Sequence, residues 1–170
     1  MNKVILLLGS NMGDLELNMK TALLMIHKNA GKVVSVSSIY KTAPWGFEHE
    51  NYFLNQVVFI DTVKSPDELL KEIIKIEKAL GRTREEHGFK ARTIDIDILF
   101  YNDLITEDKN LTIPHPHLHK RKFTLIPLAE LAENYIHPVF KKTIKELLFA
   151  CEDNLEVTLY KKPEINMGVY

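Results

Sequence analysis

The sequence has one cysteine, almost no net charge and no apolar run of membrane-spanning length. With Cys151 as its only cysteine, the chain cannot form an intrachain disulfide, which favours a cytoplasmic protein. A formal net charge of -1 provides no overall field that would attract nucleic acid or a membrane surface. The apolar run at residues 4–8 is too short to cross a bilayer or to act as a secretion signal, so we interpret it as a buried strand.

The most informative stretch is the segment RTIDIDILF at residues 92–100, which alternates like a strand. One face is apolar and consists of Ile94, Ile96, Ile98 and Phe100. The other face is polar and consists of Thr93, Asp95 and Asp97. Same-face neighbours on a strand lie about 6–7 Å apart, where two carboxylates repel by about 2–3 kcal/mol at an effective dielectric near 20. Such a pair suits a hard cation such as Mg²⁺, although two solvated acids on an edge strand are the alternative.

Cations flank this segment on both sides. Those before it are Arg82, Arg84, His87, Lys90 and Arg92. Those after it are His115, His117, His119, Lys120, Arg121 and Lys122. Their local clustering favours a small anionic ligand over a long polyanion. Acids that hold metal ions beside cations that hold phosphates are what phosphoryl transfer requires.

The segment around residues 114–119 contains alternating prolines and histidines. Pro114 and Pro116 predict an extended conformation, in which three histidines at alternate positions would share one face. No cysteine or further close ligand completes a tetrahedral zinc site there.

The elements are predicted in the order strand, helix, strand, strand, helix, strand, followed by short helices. Strands are expected at residues 4–8, 33–40, 52–60, 92–100 and 157–160, and helices after Asp14, after Ser65, and at 125–132 and 143–149. This order is that of a split βαβ unit. It predicts an α+β, ferredoxin-like αβ sandwich, in which an antiparallel sheet has helices on one face and a loop-covered active site on the other. We expect a single domain over residues 1–170, with a flexible tail at 161–170.

Two positions are compatible with a site for a flat ring. Trp45 lies in a loop with proline and glycine, where it either plugs the local packing or closes over a ligand. Asn55 interrupts an apolar strand near Phe53. Its amide either caps neighbouring strands or reads the donors and acceptors of a heterocycle.

Taken together, these residues resemble the 6-hydroxymethyl-7,8-dihydropterin pyrophosphokinases of folate biosynthesis. The likeness extends from Gly9-Ser10-Asn11 to about Tyr160. Its most specific parts are RTIDIDIL at 92–99 and LTIPH at 111–115, followed by Arg121 and Phe123. The resemblance implies transfer of pyrophosphate from ATP, bound with two Mg²⁺ ions, to the pterin hydroxymethyl group, giving the pterin diphosphate and AMP. We expect a monomer whose partners are these two small-molecule substrates.

The resemblance also implies a set of site residues. The catalytic residues would be Arg82, Arg92, Asp95 and Asp97, with the two aspartates binding the metal ions. The ATP site would contain Glu77, Arg84, Ile98, Thr112, His115 and Arg121. The pterin site would contain Thr42, Pro44, Trp45, Gly46, Phe53, Asn55, Phe89 and Phe123.

Two other functions are compatible with the same fold class. A two-metal nucleotidyl-transfer enzyme would attack the α-phosphorus of ATP with a similar pair of aspartates, but it would not need the pocket of Phe53, Asn55 and Phe123. A non-catalytic RNA-binding module would need a basic face, which the balanced charge does not favour.

Overall fold

A six-stranded antiparallel sheet organises the part of the chain that the computed structural model describes, residues 1–43, 52–81 and 93–163. Its strands are β1 (Asn2–Ser10), β2 (Lys32–Val36), β3 (Ile39–Thr42), β4 (Phe53–Thr62), β5 (Asp95–Tyr101) and β8 (Val157–Lys161). The α-helices are α1 (Leu15–Met25), α2 (Pro66–Ala79), α3 (Lys122–Ala132) and α4 (Ile144–Phe149). A separate ribbon pairs β6 (Thr106–Glu107) with β7 (Thr112–Ile113).

The strand order is β5-β1-β4-β3-β8, and β2 also pairs with β4. Every pairing in the sheet is antiparallel. The first and last strands of the split βαβ unit, β1 and β5, are therefore neighbours, and the order is that of the ferredoxin-like fold. The predicted fold class is confirmed, except that helices pack on both faces of the sheet and not on one, as the two apolar clusters described below show.

The helices after β1 and β4 begin where their capping residues predict. The side chain of Asp14 accepts a hydrogen bond from the Leu17 N–H at 3.0 Å. Ser65 and Glu68 form a reciprocal capping box at the start of α2, with Pro66 at its first position. These side chains satisfy amides that have no partner within the helix.

Two apolar clusters lie on opposite faces of the sheet. The first, under α1 and α2, includes Leu6, Leu8, Val58 and Ile96. The second, under α3 and α4, includes Ile5, Leu7, Val57, Leu125 and Ile144. Alternate residues of β1 and β4 therefore serve the two clusters in turn. α3 and α4 cover one end of the second face, and its other end carries the polar residues described below.

Phe100 does not share a face with Ile94, Ile96 and Ile98, and that prediction was wrong. The register of β1 against β5 shifts between Ile5 and Leu6, so that Phe100 pairs with Ile5 and Ile98 with Leu6. The inserted residue turns Phe100 into the second cluster.

The single strand expected at residues 33–40 was also wrong, because the chain breaks at Ser37 and Ser38 between β2 and β3. Ser37 exchanges two hydrogen bonds with Val57, its N–H donating to the carbonyl and its Oγ accepting from the amide, both at 2.9 Å. The Ser38 N–H instead donates to Glu130 Oε1 at 2.9 Å. A side chain from α3 thus replaces a strand partner.

The extended conformation expected around the histidines was wrong as well. Residues 116 and 117 form a turn, and a 3-10 helix follows at Leu118–Lys120. Leu118 is fully buried in the second cluster, and this burial turns the chain. The rings of His115 and His117 lie 6.0 Å apart, whereas the His119 ring packs 4.5 Å from that of Phe140.

β8 extends to Lys161, whose Nζ contacts Glu16 Oε2 at 3.1 Å. The last strand thus includes Lys161, the first residue of the tail that was expected to be flexible. Residues 164–170 lie outside the described residues. None of the helices in the described part of the chain is long and apolar enough to span a bilayer.

The burial of His137 leads to a prediction of how the free energy of unfolding depends on pH. The residue is 2% exposed, and its Nδ1 accepts hydrogen bonds from the N–H groups of Val139 and Phe140 at 3.2 and 3.3 Å. Burial, and secondarily the neighbouring His119, lowers the pKa of His137 to about 4. Between the unfolded value of about 6.5 and that value, only the unfolded chain takes up the proton, so acidification costs stability.

We expect His137→Asn, which keeps an acceptor but cannot titrate, to lose less stability than the wild type as the pH falls from 7 to 4. The difference should be about 1.4 kcal/mol for each unit by which the pKa is lowered. Urea unfolding at several pH values measures it. His27→Asn is the control, because His27 Nδ1 also accepts a backbone N–H but its ring is only half-buried. Parallel pH profiles for wild type and His137→Asn would contradict the expectation.

Candidate active site

One row of residues crosses three neighbouring strands on the second face of the sheet. Asp95 of β5 pairs with Gly9 of β1, and Gly9 pairs with Asn55 of β4. They lie on this face because Leu7 and Val57, two residues along their strands, belong to the second cluster. With strands about 4.8 Å apart, the backbones of Asp95 and Asn55 are about 10 Å apart. Glycine between them leaves a trough without a side chain.

The two aspartates are held at the edge of the sheet. Asp97 pairs with Leu7 and Asp95 with Gly9, so both carboxylates point to the same face. Both residues are half-buried, and the Asp97 side chain is 33% exposed. Ile96, between them, is buried in the first cluster on the other face. The alternation predicted for this segment is therefore confirmed as far as Ile98.

Glu77 fixes the peptide between the aspartates. It lies in the last turn of α2, is 2% exposed, and its Oε1 accepts a hydrogen bond from the Ile96 N–H at 2.9 Å. This N–H faces the outer edge of β5, along which no strand of the described residues pairs. The sequence places Glu77 beside the apolar stripe of α2, but the amide it caps belongs to a strand distant in sequence, which periodicity does not reveal.

His115 lies beside Asp97, with 4.0 Å between Nε2 and Oδ2. Burial, followed by the positive charges of Arg121 and His117, lowers the pKa of His115 to about 4, while Asp95 opposes the shift. The imidazole is thus neutral near pH 7, and the contact is not an ion pair. Its Nδ1 accepts from the His117 N–H at 3.2 Å, which assigns the proton to Nε2. The site therefore has an uncharged N–H donor next to the acids.

Asn55 lies at the other end of the row of Asp95, Gly9 and Asn55. It is 4% exposed, and its Nδ2 donates to Thr42 Oγ1 at 3.2 Å. A Cβ at Gly9 would lie 3.0 Å from Asn55 Oδ1, so the glycine is what lets the amide lie flat against β1. Phe53, half-buried, pairs with Thr42 across the strands. The structure thus brings together three of the residues predicted to bind the pterin.

Phe123 and Arg121 lie at the start of α3. The guanidinium carbon of Arg121 is 5.6 Å from the centre of the Phe123 ring, within range of a cation–π contact. Asp153 Oδ2 accepts from the Lys122 N–H at 3.0 Å, which anchors this end of the helix. Phe123 packs against the second cluster, on the face that carries Asn55.

The remaining predicted residues are not all brought to this face. Ile98 is buried in the first cluster, on the face opposite the aspartates. Thr112 is half-buried in β7 and pairs with Glu107. The residues that lie outside the described part of the chain are Pro44, Trp45, Gly46, Arg82, Arg84, Phe89 and Arg92.

Within the described residues, no group of three or more histidine, cysteine or acidic side chains could hold a metal ion. The donor set that the structure describes is therefore the carboxylate pair, which suits an ion whose other ligands are phosphate and water oxygens.

Known proteins provide the context for this geometry. Residues 5–133 match the model of the 7,8-dihydro-6-hydroxymethylpterin-pyrophosphokinase family. A 2-amino-4-hydroxy-6-hydroxymethyldihydropteridine pyrophosphokinase from Aquifex aeolicus is 41% identical over 146 residues, 86% of this chain and 90% of the relative. The Bacillus subtilis protein of the same name is 45% identical over 127 residues, 74% of this chain and 75% of the relative.

A crystal structure of a Plasmodium falciparum HPPK-DHPS triple mutant has a similar fold, with a TM-score of 0.73 at 22% identity. The match covers 88% of this chain and 44% of that chain, so the chain spans less than half the length of that protein.

The hydrogen bond between Glu77 and Ile96 should contribute measurably to the free energy of unfolding. Glu77→Ala leaves a buried N–H without its acceptor, which costs about 1–3 kcal/mol. Glu77→Gln keeps an acceptor oxygen and should cost less. Urea unfolding measures both losses, and the exchange rate of the Ile96 amide reports the bond itself. Glu72→Ala on the same helix is the control, because Glu72 pairs with the exposed Lys75. Equal losses for the two Glu77 variants would contradict the acceptor role.

Proposed function

The chain belongs to the 7,8-dihydro-6-hydroxymethylpterin-pyrophosphokinase family, and on this premise we propose its reaction. It transfers pyrophosphate from ATP to the hydroxymethyl group of 6-hydroxymethyl-7,8-dihydropterin in folate biosynthesis and releases AMP. The bond formed joins the hydroxymethyl oxygen to the β-phosphorus, and the bond broken joins that phosphorus to the oxygen of AMP. We also propose that the enzyme acts as a cytoplasmic monomer with one domain over residues 1–170.

The observation that carries the proposal is the row of Asp95, Gly9 and Asn55. It places the backbones of an acidic residue and of an amide-bearing residue about 10 Å apart on one face, with a glycine between them. The acids suit the metal-bound phosphates and the amide suits a heterocycle. The hydroxymethyl group can then meet the β-phosphorus over Gly9.

Asp95 and Asp97 are the residues that would hold Mg²⁺, and we propose two ions. Metal ions there would stabilise negative charge on the attacking and leaving oxygens. The protein's own contribution is a rigid strand that sets the spacing of the carboxylates. Glu77 maintains this spacing through the Ile96 amide.

Arg121 and His115 are the described residues that would contact the phosphates. Arg121 offers a planar fork that matches phosphate oxygens. His115 offers an uncharged N–H, because the pKa of its ring is lowered to about 4. We propose that Arg82, Arg84 and Arg92 complete the phosphate contacts and that Thr112 lies near the adenosine. Glu77 and Ile98, which are both buried, would border this site from within the fold and not contact the adenosine with their side chains.

The pterin would be read by the amide of Asn55, whose orientation Thr42 and Gly9 fix. Phe53 and Phe123 would enclose its ring faces. We propose that the remaining contacts come from Pro44, Trp45, Gly46 and Phe89.

The test of the reaction is incubation with ATP, Mg²⁺ and the hydroxymethyldihydropterin, followed by identification of the products. AMP and the pterin diphosphate are expected. Pyrophosphate release would indicate nucleotidyl transfer, the alternative that the acidic pair alone allows. ADP, or no turnover by a folded sample, would reject the proposal.

Asp97→Ala should lower kcat at least about a thousandfold, because the loss of several kcal/mol of metal-dependent stabilisation equals a tenfold loss for each 1.4 kcal/mol. Its unfolding temperature should stay close to that of the wild type, since the side chain is outside both apolar clusters. Asp103→Ala, in the exposed turn after β5, is the matched control. Metal-dependent ATP binding equal to wild type in Asp97→Ala would exclude the proposed role.

Gly9→Ala should raise KM for the pterin about tenfold, the equivalent of one hydrogen bond of about 1.4 kcal/mol. The added Cβ would lie 3.0 Å from Asn55 Oδ1 and displace the amide. A double-mutant cycle with Asn55→Ala provides the control, because the effect of Gly9→Ala should largely disappear once the amide is removed. Additive effects would show that Gly9 acts by another route.

A further inference from the structure

Glu130 of α3 uses both of its carboxylate oxygens to hold β3. Oε1 accepts from the Ser38 N–H and from Ser38 Oγ, both at 2.9 Å. Oε2 accepts from the Tyr40 hydroxyl at 2.7 Å. The break between β2 and β3 makes these contacts available, because it leaves the Ser38 amide without a strand partner. Glu130 therefore links α3 to this strand through three donors.

The strand that Glu130 holds belongs to the proposed pterin pocket. Tyr40 pairs with Asn55, and Thr42 lies two residues further along β3 on the same face. The side chain of Thr42 in turn accepts from Asn55 Nδ2. A displacement of Tyr40 would therefore also move Thr42, which lies on the same short strand, and Asn55, which is paired with that strand.

The helix that carries Glu130 also carries the opposite wall of the pocket. Phe123 precedes Glu130 by seven residues, or two helical turns, so the two side chains lie on the same face of α3. Leu125 and Leu128 of this helix are fully buried, so apolar packing already docks it. The hydrogen bonds of Glu130 are thus not needed to dock the helix, and they can adjust its position relative to β3.

We propose that Glu130 and Tyr40 are positioning residues that set the distance between Phe123 on α3 and the Thr42–Asn55 wall of the sheet, and thereby the fit of a flat pterin ring. The inference rests on the proposed function. Neither residue touches the reacting atoms. Burial, followed by the hydrogen bond to Glu130, raises the pKa of Tyr40 to about 12, so its hydroxyl remains a donor at all working pH values.

Tyr40→Phe is the main test, because it removes one hydroxyl and keeps the ring. KM for the pterin should rise about tenfold, while kcat and KM for ATP stay within twofold of wild type. Glu130→Gln should give a smaller rise, since an amide can still accept from Ser38 and donate to the Tyr40 oxygen. Direct titration with the pterin in the presence of a non-hydrolysable ATP analogue should show the same ratios.

Tyr160→Phe is the matched control. The Tyr160 hydroxyl also donates to a carboxylate, Glu16 Oε1 at 2.9 Å, but at an exposed position between β8 and α1. It should leave all three kinetic constants unchanged. If Tyr40→Phe leaves KM for the pterin within twofold of wild type, the positioning role is overturned.

A general structural role has a different signature. Parallel losses in kcat and in both KM values, together with a lower unfolding temperature, would overturn the inference in favour of a brace for the fold. A wild-type enzyme without turnover would instead reject the proposed function, and the inference with it. An active wild type with unaffected variants rejects the inference alone.

Discussion

Two carboxylates that repel each other remain on adjacent same-face positions because β5 is fixed along its length. β1 pairs with one edge of β5 and sets the register of Asp95 and Asp97. Glu77 holds the amide between them from the other edge, and the isoleucines beneath are buried in the first cluster. The strand therefore cannot relax to move the two carboxylates apart. Under the proposed function, this rigidity suits the pair to binding a cation.

The same sheet separates two kinds of polar side chain with a residue that has no side chain. Along one row it presents an acid, then a glycine, then an amide. The glycine contributes no chemistry of its own, but it separates the two chemical environments and leaves room between them. Beside this row, α3 brings Arg121 and Phe123 to the same face, and Glu130 sets its height over the strands. The residues proposed for catalysis and for recognition of the pterin thus share one face of the sheet.

Local chemistry was enough to predict much of this fold. Asp14 and Ser65 start helices because their side chains cap amides only three residues away. The alternation around Asp95 and Asp97 predicts the acidic face correctly. The turn of Phe100 to the other face, the break at Ser37 and the cap on Ile96 each depend on a partner from a distant element. One sequence does not specify such partners. The roles of Gly9 and Glu130 are visible only when strand register is known.

The cover on the outer edge of β5 has a consequence for assembly. An edge strand offers amides and carbonyls to which another strand can add. Here the Ile96 N–H is taken by Glu77 and the Leu99 carbonyl by the His115 N–H at 3.0 Å. Sheet extension from a second molecule is blocked beside the acids. These two hydrogen bonds thereby protect β5, which carries the acidic pair, from the edge-to-edge aggregation to which antiparallel sheets are prone.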